Sequence, residues 1–149
     1  MPLVQRRFAK FLVAYYGMLQ VLHILTLLRA SVVWIQTGSL GFPAPPPTGG
    51  WTSQARHFLI ATGMVDAMNV VLAFVFVYGV FRRKAWSVHL GLVTMTITVY
   101  SAVVFSYGTW MSHAWSAAPF EYALVSLLFL PPLVLAGLFY YAVFVKRER

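Results

Sequence analysis

The chain has 149 residues, of which 60% are hydrophobic and only 9% are charged, and its formal net charge is +8. Soluble domains carry about 25% charged residues, so this composition indicates an integral membrane protein with one domain over residues 1–149. The chain has no cysteine, which excludes disulfides, iron–sulfur ligation and thiolate metal sites. The basic residues lie in short clusters beside apolar segments, and this distribution argues against nucleic-acid binding.

Four apolar stretches are long enough to cross a bilayer, because a membrane helix needs roughly 20 residues. They cover about residues 8–35, 57–81, 86–107 and 120–145. The longest connection, 36–56, is rich in Pro and Gly, and its "PAPPP" segment cannot be helical. The sequence therefore predicts an all-α fold in which four antiparallel transmembrane helices form a bundle.

The Lys and Arg residues are distributed unevenly between the two ends of these spans. If the spans alternate in direction, nine basic residues lie on one side: Arg6, Arg7, Lys10, Arg82, Arg83, Lys84, Lys146, Arg147 and Arg149. Only Arg29 and Arg56 lie toward the other side. The positive-inside rule then predicts that both termini face the cytoplasm, or the matrix of an organelle. We expect a multi-pass protein of a bacterial inner membrane or an organelle membrane.

Two polar stripes run along the first and second spans. Asp66 is one of only three acidic residues, and ionisable side chains at membrane depth are costly and usually face protein or a wet cavity. Thr62, Asp66 and Asn69 follow steps of four and three, so they share one helix face. The first span has the same pattern: Tyr16, Gln20, His23 and Thr26.

These stripes predict a contact between Asp66 and His23. With a rise of about 1.5 Å per residue, the two side chains lie within roughly 3 Å of the same depth. A hydrogen bond or ion pair between them is then feasible, and Gln20 and Asn69 extend it. Three roles stay open: a static link between helices, a contact to a ligand or substrate, and transfer of a proton or ion by a coupled pair.

Arg29 lies near the outer end of the first span. We expect its side chain to extend outward to the membrane surface. The alternatives are an ion pair with Glu121, at the outer start of the fourth span, and a contact with Asp66.

Hydroxyl residues follow the third span, and two prolines interrupt the fourth. Thr94 and Thr98 share a helix face, as do Thr98 and Ser101, and we expect them to pack helices together. Pro131 and Pro132 lie near the middle of the fourth span and predict a kink, because each ring removes a backbone donor. The carbonyls freed near residues 127 and 128 must find partners or line a cavity.

The sequence contains no catalytic signature, no Walker motif and no His/Glu set with metal-ligand spacing. It therefore favours a non-enzymatic role and predicts no metal and no cofactor, while bound lipid is compatible with its composition. Our first interpretation is an accessory subunit of a larger respiratory or photosynthetic membrane complex, with other subunits and membrane lipids as partners. The second is a four-helix protein that binds a lipid or sterol-like small molecule, or an isomerase-type enzyme that uses Asp66 and His23. The third is a small dimeric transporter in which Asp66 carries charge.

One resemblance accompanies the second interpretation. The acid in "VDA" (65–67) of the second span, "SVH" (87–89) at the start of the third and the prolines of the fourth are arranged as in a known four-span layout. That layout is loosely similar to the family of sterol isomerases and sigma-2-type receptors, which also have cytoplasmic termini. The resemblance concerns the arrangement of spans, and no residue role is carried over from it.

Overall fold

The computed structural model describes residues 7–40 and 45–145, and within these ranges every regular element is helical. The elements are α1 (Arg7–Thr37), α2 (Ser53–Phe81), α3 (Ser87–Met111), α4 (Ala114–Ala117), α5 (Pro119–Leu128), α6 (Leu130–Tyr140) and a final π-helical turn (Tyr141–Val145). Four helices are long and apolar enough to cross a membrane: α1, α2, α3 and the interrupted helix Pro119–Phe144. Four long apolar helices are thus present where the spans were predicted, and their ends differ from the predicted ones by at most four residues. Four of the basic residues behind the orientation argument (Arg6, Lys146, Arg147 and Arg149) lie outside the described residues.

Local capping explains where α2 begins and ends. The Thr52 hydroxyl accepts a hydrogen bond from the Ala55 N–H at 3.2 Å, which satisfies one of the free donors of the first turn. At the other end Arg83 takes a left-handed conformation with φ +55°. The Lys84 N–H then donates to the Gly79 carbonyl and the Arg83 N–H to the Val80 carbonyl. These two bonds form a Schellman motif, which makes the basic turn between α2 and α3 tight.

The inner core joins all four spans on the side of the basic turn. Helix α2 packs against α1 and α3, and α6 packs against α3 and α1. The buried residues of this inner core are Leu12, Val13, Tyr16, Ala73, Phe76, Val80, Met95, Leu135, Ala136 and Phe139. Lipid tails are as apolar as these side chains, so the helices associate through close packing and not through exclusion of water.

Gly91 is the position where this packing is tightest. The Phe76 and Phe139 rings meet edge to face, with centroids 5.3 Å apart. A Cβ on Gly91 would lie 2.6 Å from Phe139 and 2.7 Å from Phe76. Glycine at this position therefore lets α3 approach both rings.

A separate outer cluster holds the other end of the molecule. Its buried members are Leu59, Phe105, Ala114, Ala118 and Tyr122. The Tyr122 ring stacks on Phe105 and on Trp115, at centroid distances of 6.2 and 5.9 Å. Its hydroxyl donates to the Pro45 carbonyl at 3.0 Å, which ties the Pro-rich connection to α5.

The predicted interruption of the fourth span is present at Phe129, between α5 and α6. Pro131 and Pro132 cannot donate to the preceding turn, so carbonyls at the end of α5 lack their usual partners. One of these, the Leu128 carbonyl, accepts a hydrogen bond from the Tyr15 hydroxyl of α1 at 3.1 Å. The prediction that a freed carbonyl finds a partner is confirmed at this residue.

Replacing Gly91 with Ala should destabilise the protein by about 1–3 kcal/mol, because the added methyl group overpacks the Phe76–Phe139 contact. The matched control is Gly137→Ala in α6, where a Cβ meets nothing within 4 Å. The control should keep or raise stability, because Ala is the better helix former. Thermal unfolding in detergent, followed by circular dichroism, compares the two variants. Equal unfolding midpoints would contradict the close packing at Gly91.

Candidate binding cavity

Four buried polar side chains form a hydrogen-bonded group that joins α1, α2 and α3. The Tyr16 hydroxyl lies 3.0 Å from the Thr94 hydroxyl and 2.8 Å from the Thr98 hydroxyl. Thr94 donates to Asn69 Oδ1 at 2.7 Å, and Asn69 Nδ2 donates to Thr98 at 3.0 Å. Each of the four side chains is at most 4% exposed. We call this group the polar ring.

Donor counting sets the direction of these bonds. Thr94 has one hydroxyl hydrogen, which goes to Asn69, so Tyr16 must be the donor to Thr94. Thr98 has two acceptors within reach: the Tyr16 oxygen, and the Thr94 backbone carbonyl at 2.8 Å. When Thr98 donates to Tyr16, each member of the polar ring donates to the next and the ring closes. Such chains of buried hydrogen bonds strengthen one another and specify one arrangement of the helices.

The predicted contact between Asp66 and His23 is present. Asp66 Oδ2 lies 3.7 Å from His23 Nε2, and both side chains are largely buried. This separation is within ion-pair range but longer than a direct hydrogen bond, which spans about 2.7–3.2 Å. The Ser101 hydroxyl of α3 also interacts with the Asp66 carboxyl. Ser101 is only 6% exposed, and within the described residues its hydroxyl makes no well-aligned hydrogen bond.

These groups face a cavity of about 320 Å³ between the spans. On one side it ends at Thr98 of the polar ring, and on the other at Leu59 and Phe105 of the outer cluster. Seventeen residues line it: Leu19, Gln20, Leu22, His23, Thr26, Leu27, Ala30, Leu59, Thr62, Gly63, Asp66, Thr98, Ser101, Phe105, Val125, Leu128 and Phe129. Its volume is near the lower end of the range of about 300–1,000 Å³ that is typical of small-molecule pockets.

The structure divides the sequence-predicted residues between these two features. Five residues of the two predicted stripes line the cavity: Gln20, His23, Thr26, Thr62 and Asp66. Tyr16 and Asn69 belong to the polar ring, so Asn69 bonds to α3 and does not extend the Asp66–His23 pair as expected. Arg29 is exposed and does not line the cavity, and within residues 7–40 and 45–145 it has no acidic partner within 4.0 Å.

Sequence reasoning missed two parts of the site. Thr94 and Thr98 were expected to pack helices together, and they do, but their hydrogen bonding with Tyr16 and Asn69 in the polar ring was not predicted. Their signal was present, because Thr94, Thr98 and Ser101 repeat the steps of four and three found in the other two stripes. The apolar side of the cavity that the fourth span forms could not be predicted from the sequence. Val125 and Leu128 are aliphatic residues of the kind that occurs throughout membrane helices.

The cavity holds two ionisable side chains, His23 and Asp66, among its described lining residues. No group of three or more His, Cys, Asp or Glu side chains in the described ranges could hold a metal ion. The polar side chains lie on α1, α2 and α3, whereas α5 contributes only aliphatic ones. This arrangement suits an amphiphilic molecule with a polar group at one end.

Comparison with protein families, with curated proteins and with solved structures gives no match for this chain.

Replacing Thr98 with Val should destabilise the protein by about 1–3 kcal/mol, because it keeps the side-chain shape but leaves Asn69 and Tyr16 short of a buried partner. The matched control is Thr62→Val, since the Thr62 hydroxyl donates only to the Phe58 carbonyl of its own helix. That control should change stability by no more than about 0.5 kcal/mol. Thermal unfolding in one detergent measures both. A control as unstable as Thr98→Val would rule out a special role for the polar ring.

Proposed function

We propose that this chain binds a small amphiphilic molecule of the membrane in the cavity between its spans. The observation that carries the proposal is the cavity itself, in which the polar side chains of α1, α2 and α3, among them Asp66, His23 and Ser101, face the aliphatic side chains of α5. Ionisable residues inside membrane spans are rare, and they commonly mark substrate or ligand paths. Asp66 and His23 hold the polar group of the ligand, and the aliphatic side chains of α5 contact its apolar part.

In the same proposal the four spans form an antiparallel bundle with both termini on the cytoplasmic or matrix side. The short connections α2–α3 and α3–α5 favour antiparallel neighbours. The basic residues 82–84 of the α2–α3 turn favour the location of this turn in the cytoplasm or matrix. A bacterial inner membrane or an organelle membrane is the proposed location. The cavity then lies on the outer side of the polar ring.

Membership in a larger membrane complex is a second candidate, supported by one residue on the outside of α3. Tyr100 lies near the middle of this span and is 59% exposed. Within residues 7–40 and 45–145 its hydroxyl makes no hydrogen bond. A phenol hydroxyl directed into hydrocarbon is costly, so a neighbouring subunit at this face would supply the missing contact.

Native mass spectrometry of protein purified gently from its own membrane tests ligand binding and complex membership together. We expect the wild-type chain to retain a small molecule in stoichiometric amount. The variant Gly63→Leu should lower its occupancy at least about fivefold, because the larger side chain fills the cavity. The control is Gly137→Leu, at an exposed position with open space around it. A wild-type chain without any bound molecule would refute the proposal, and co-migration with larger proteins would support the second candidate.

Cysteine labelling tests the proposed topology, because the chain has no cysteine of its own. Single thiols are placed at two exposed positions, Thr48→Cys in the Pro-rich connection and Lys84→Cys in the basic turn. A membrane-impermeant maleimide applied to intact cells should label Thr48→Cys at once and Lys84→Cys only after permeabilisation. The reverse pattern would show that the orientation is inverted.

A further inference from the structure

The cavity has an opening toward lipid between α1 and α5. Leu22 of α1 lines the cavity and is nevertheless 48% exposed, so the cavity reaches the surface beside it. On the α3 wall, by contrast, Thr98, Ser101 and Phe105 are at most 9% exposed.

Neighbouring side chains border two other edges of this opening. Between α1 and α2, a methyl group on Gly63 would already lie 3.7 Å from Leu27. Toward the inner core, the Tyr15–Leu128 hydrogen bond joins α1 to the end of α5. Beyond this bond α1 packs against α6, whereas α5 makes few close backbone contacts with α1. We call the space between Leu22 and α5 the lateral gap.

The lateral gap is bordered by apolar side chains, and we call the interacting polar side chains Asp66, His23 and Ser101 of the cavity the polar wall. Leu22 borders the gap on α1, and Val125 and Leu128 border it on α5. At this depth the surface of the protein faces hydrocarbon, so a molecule dissolved in the bilayer can enter without crossing water. A cavity of about 320 Å³ holds the head of a lipid and the first part of its chain, and the rest must extend through the gap.

The geometry of the polar wall selects the head group. Because Asp66 Oδ2 and His23 Nε2 are 3.7 Å apart, one oxygen atom can lie about 2.8 Å from both. When His23 Nε2 and Asp66 Oδ2 carry one proton between them, a group at that point must accept from the atom that holds it and donate to the other. A hydroxyl does both, whereas an ammonium only donates and an ether or ketone only accepts. The Ser101 hydroxyl beside Asp66 supplies a further polar contact.

Charge also favours an uncharged head. The Asp66–His23 pair is neutral overall both when the proton is on histidine and when it is on the carboxyl. A cation bound beside the pair while it keeps that proton would leave the site with net charge in a largely apolar surrounding, which costs several kcal/mol per unpaired ion. An alcohol leaves the charge of the site unchanged.

We infer that the ligand is an uncharged, single-chain membrane alcohol, such as an isoprenoid alcohol, which enters through the lateral gap and leaves its tail there. This inference rests on the proposed function of the cavity and adds the chemical class of the ligand and its route. In this inference the single chain lies between Leu22 and Val125 while the hydroxyl bridges Asp66 and His23.

Photolabelling in phosphatidylcholine nanodiscs tests the inference with the full chain. Three probes share one isoprenoid tail that carries a diazirine and an alkyne, and they end in a hydroxyl, a methyl ether or a primary amine. We expect the alcohol to label the protein at least about fivefold more than the ether or the amine, since only it satisfies both partners. Labelled peptides should come from α1 and α5.

Two tryptophan substitutions test the route. Leu22→Trp narrows the lateral gap and should lower labelling by the alcohol at least about fivefold. The control is Leu25→Trp, which places the same ring on α1 at a residue that is 58% exposed and does not line the cavity. It should label like the wild type. Thermal unfolding midpoints of both variants verify that the fold is retained.

The outcomes separate this inference from the proposed function. Equal or stronger labelling by the amine, unchanged labelling of Leu22→Trp, or absence of labelling by all three probes would overturn the inference. If Gly63→Leu still abolishes retention of the native ligand in those cases, binding in the cavity stands and only the ligand class or route is wrong. If the alcohol labels Gly63→Leu as strongly as the wild type, the cavity is not the binding site and the proposed function fails with the inference.

Discussion

The polar ring is the interaction on which the arrangement of the first three helices depends. Tyr16, Asn69, Thr94 and Thr98 come from three different helices, and their hydrogen bonds satisfy one another. In hydrocarbon an unsatisfied hydroxyl or amide is costly, so a rotation of any one helix that breaks the ring is opposed. Fixing the rotation at this level also fixes the next turn of each helix. There Gln20, Asp66 and Ser101 then face a common space, which is the cavity.

The two ends of the molecule are held together by different means. The inner core relies on close approach, with Gly91 against the rings of Phe76 and Phe139. The outer cluster relies on large stacked side chains around Tyr122. The cavity lies between the inner core and the outer cluster, where neither close helix packing nor stacked aromatic side chains fill the space. The break at Phe129 lies at this level, and Leu128 and Phe129 both line the cavity.

Much of this fold could be predicted from the sequence, because length and hydropathy alone decide which segments can cross hydrocarbon. The contact between Asp66 and His23 was also predictable, since helical spacing and the rise per residue put both groups at one depth. The partners of Asn69 were not, because the spacing in one helix does not say how a neighbouring helix is rotated. The cavity was out of reach for a related reason. It is a volume that side chains leave unfilled, and no residue type signals it. The interruption of the fourth span was predicted from Pro131 and Pro132. The direction of α5 relative to α6 could not be, because it depends on the residues that pack against α5.

The Tyr15–Leu128 bond has a mechanical consequence for the interrupted span. It pins the junction of the two half-helices to α1, and stacking around Tyr122 holds the far end of α5. Between these two contacts the middle of α5 is free to bend, while α6 is held by its packing in the inner core. Lateral pressure from the lipid around α5 acts on that free middle and so on the width of the gap beside Leu22. The capacity of the cavity is therefore set jointly by the chain and by the bilayer that surrounds it.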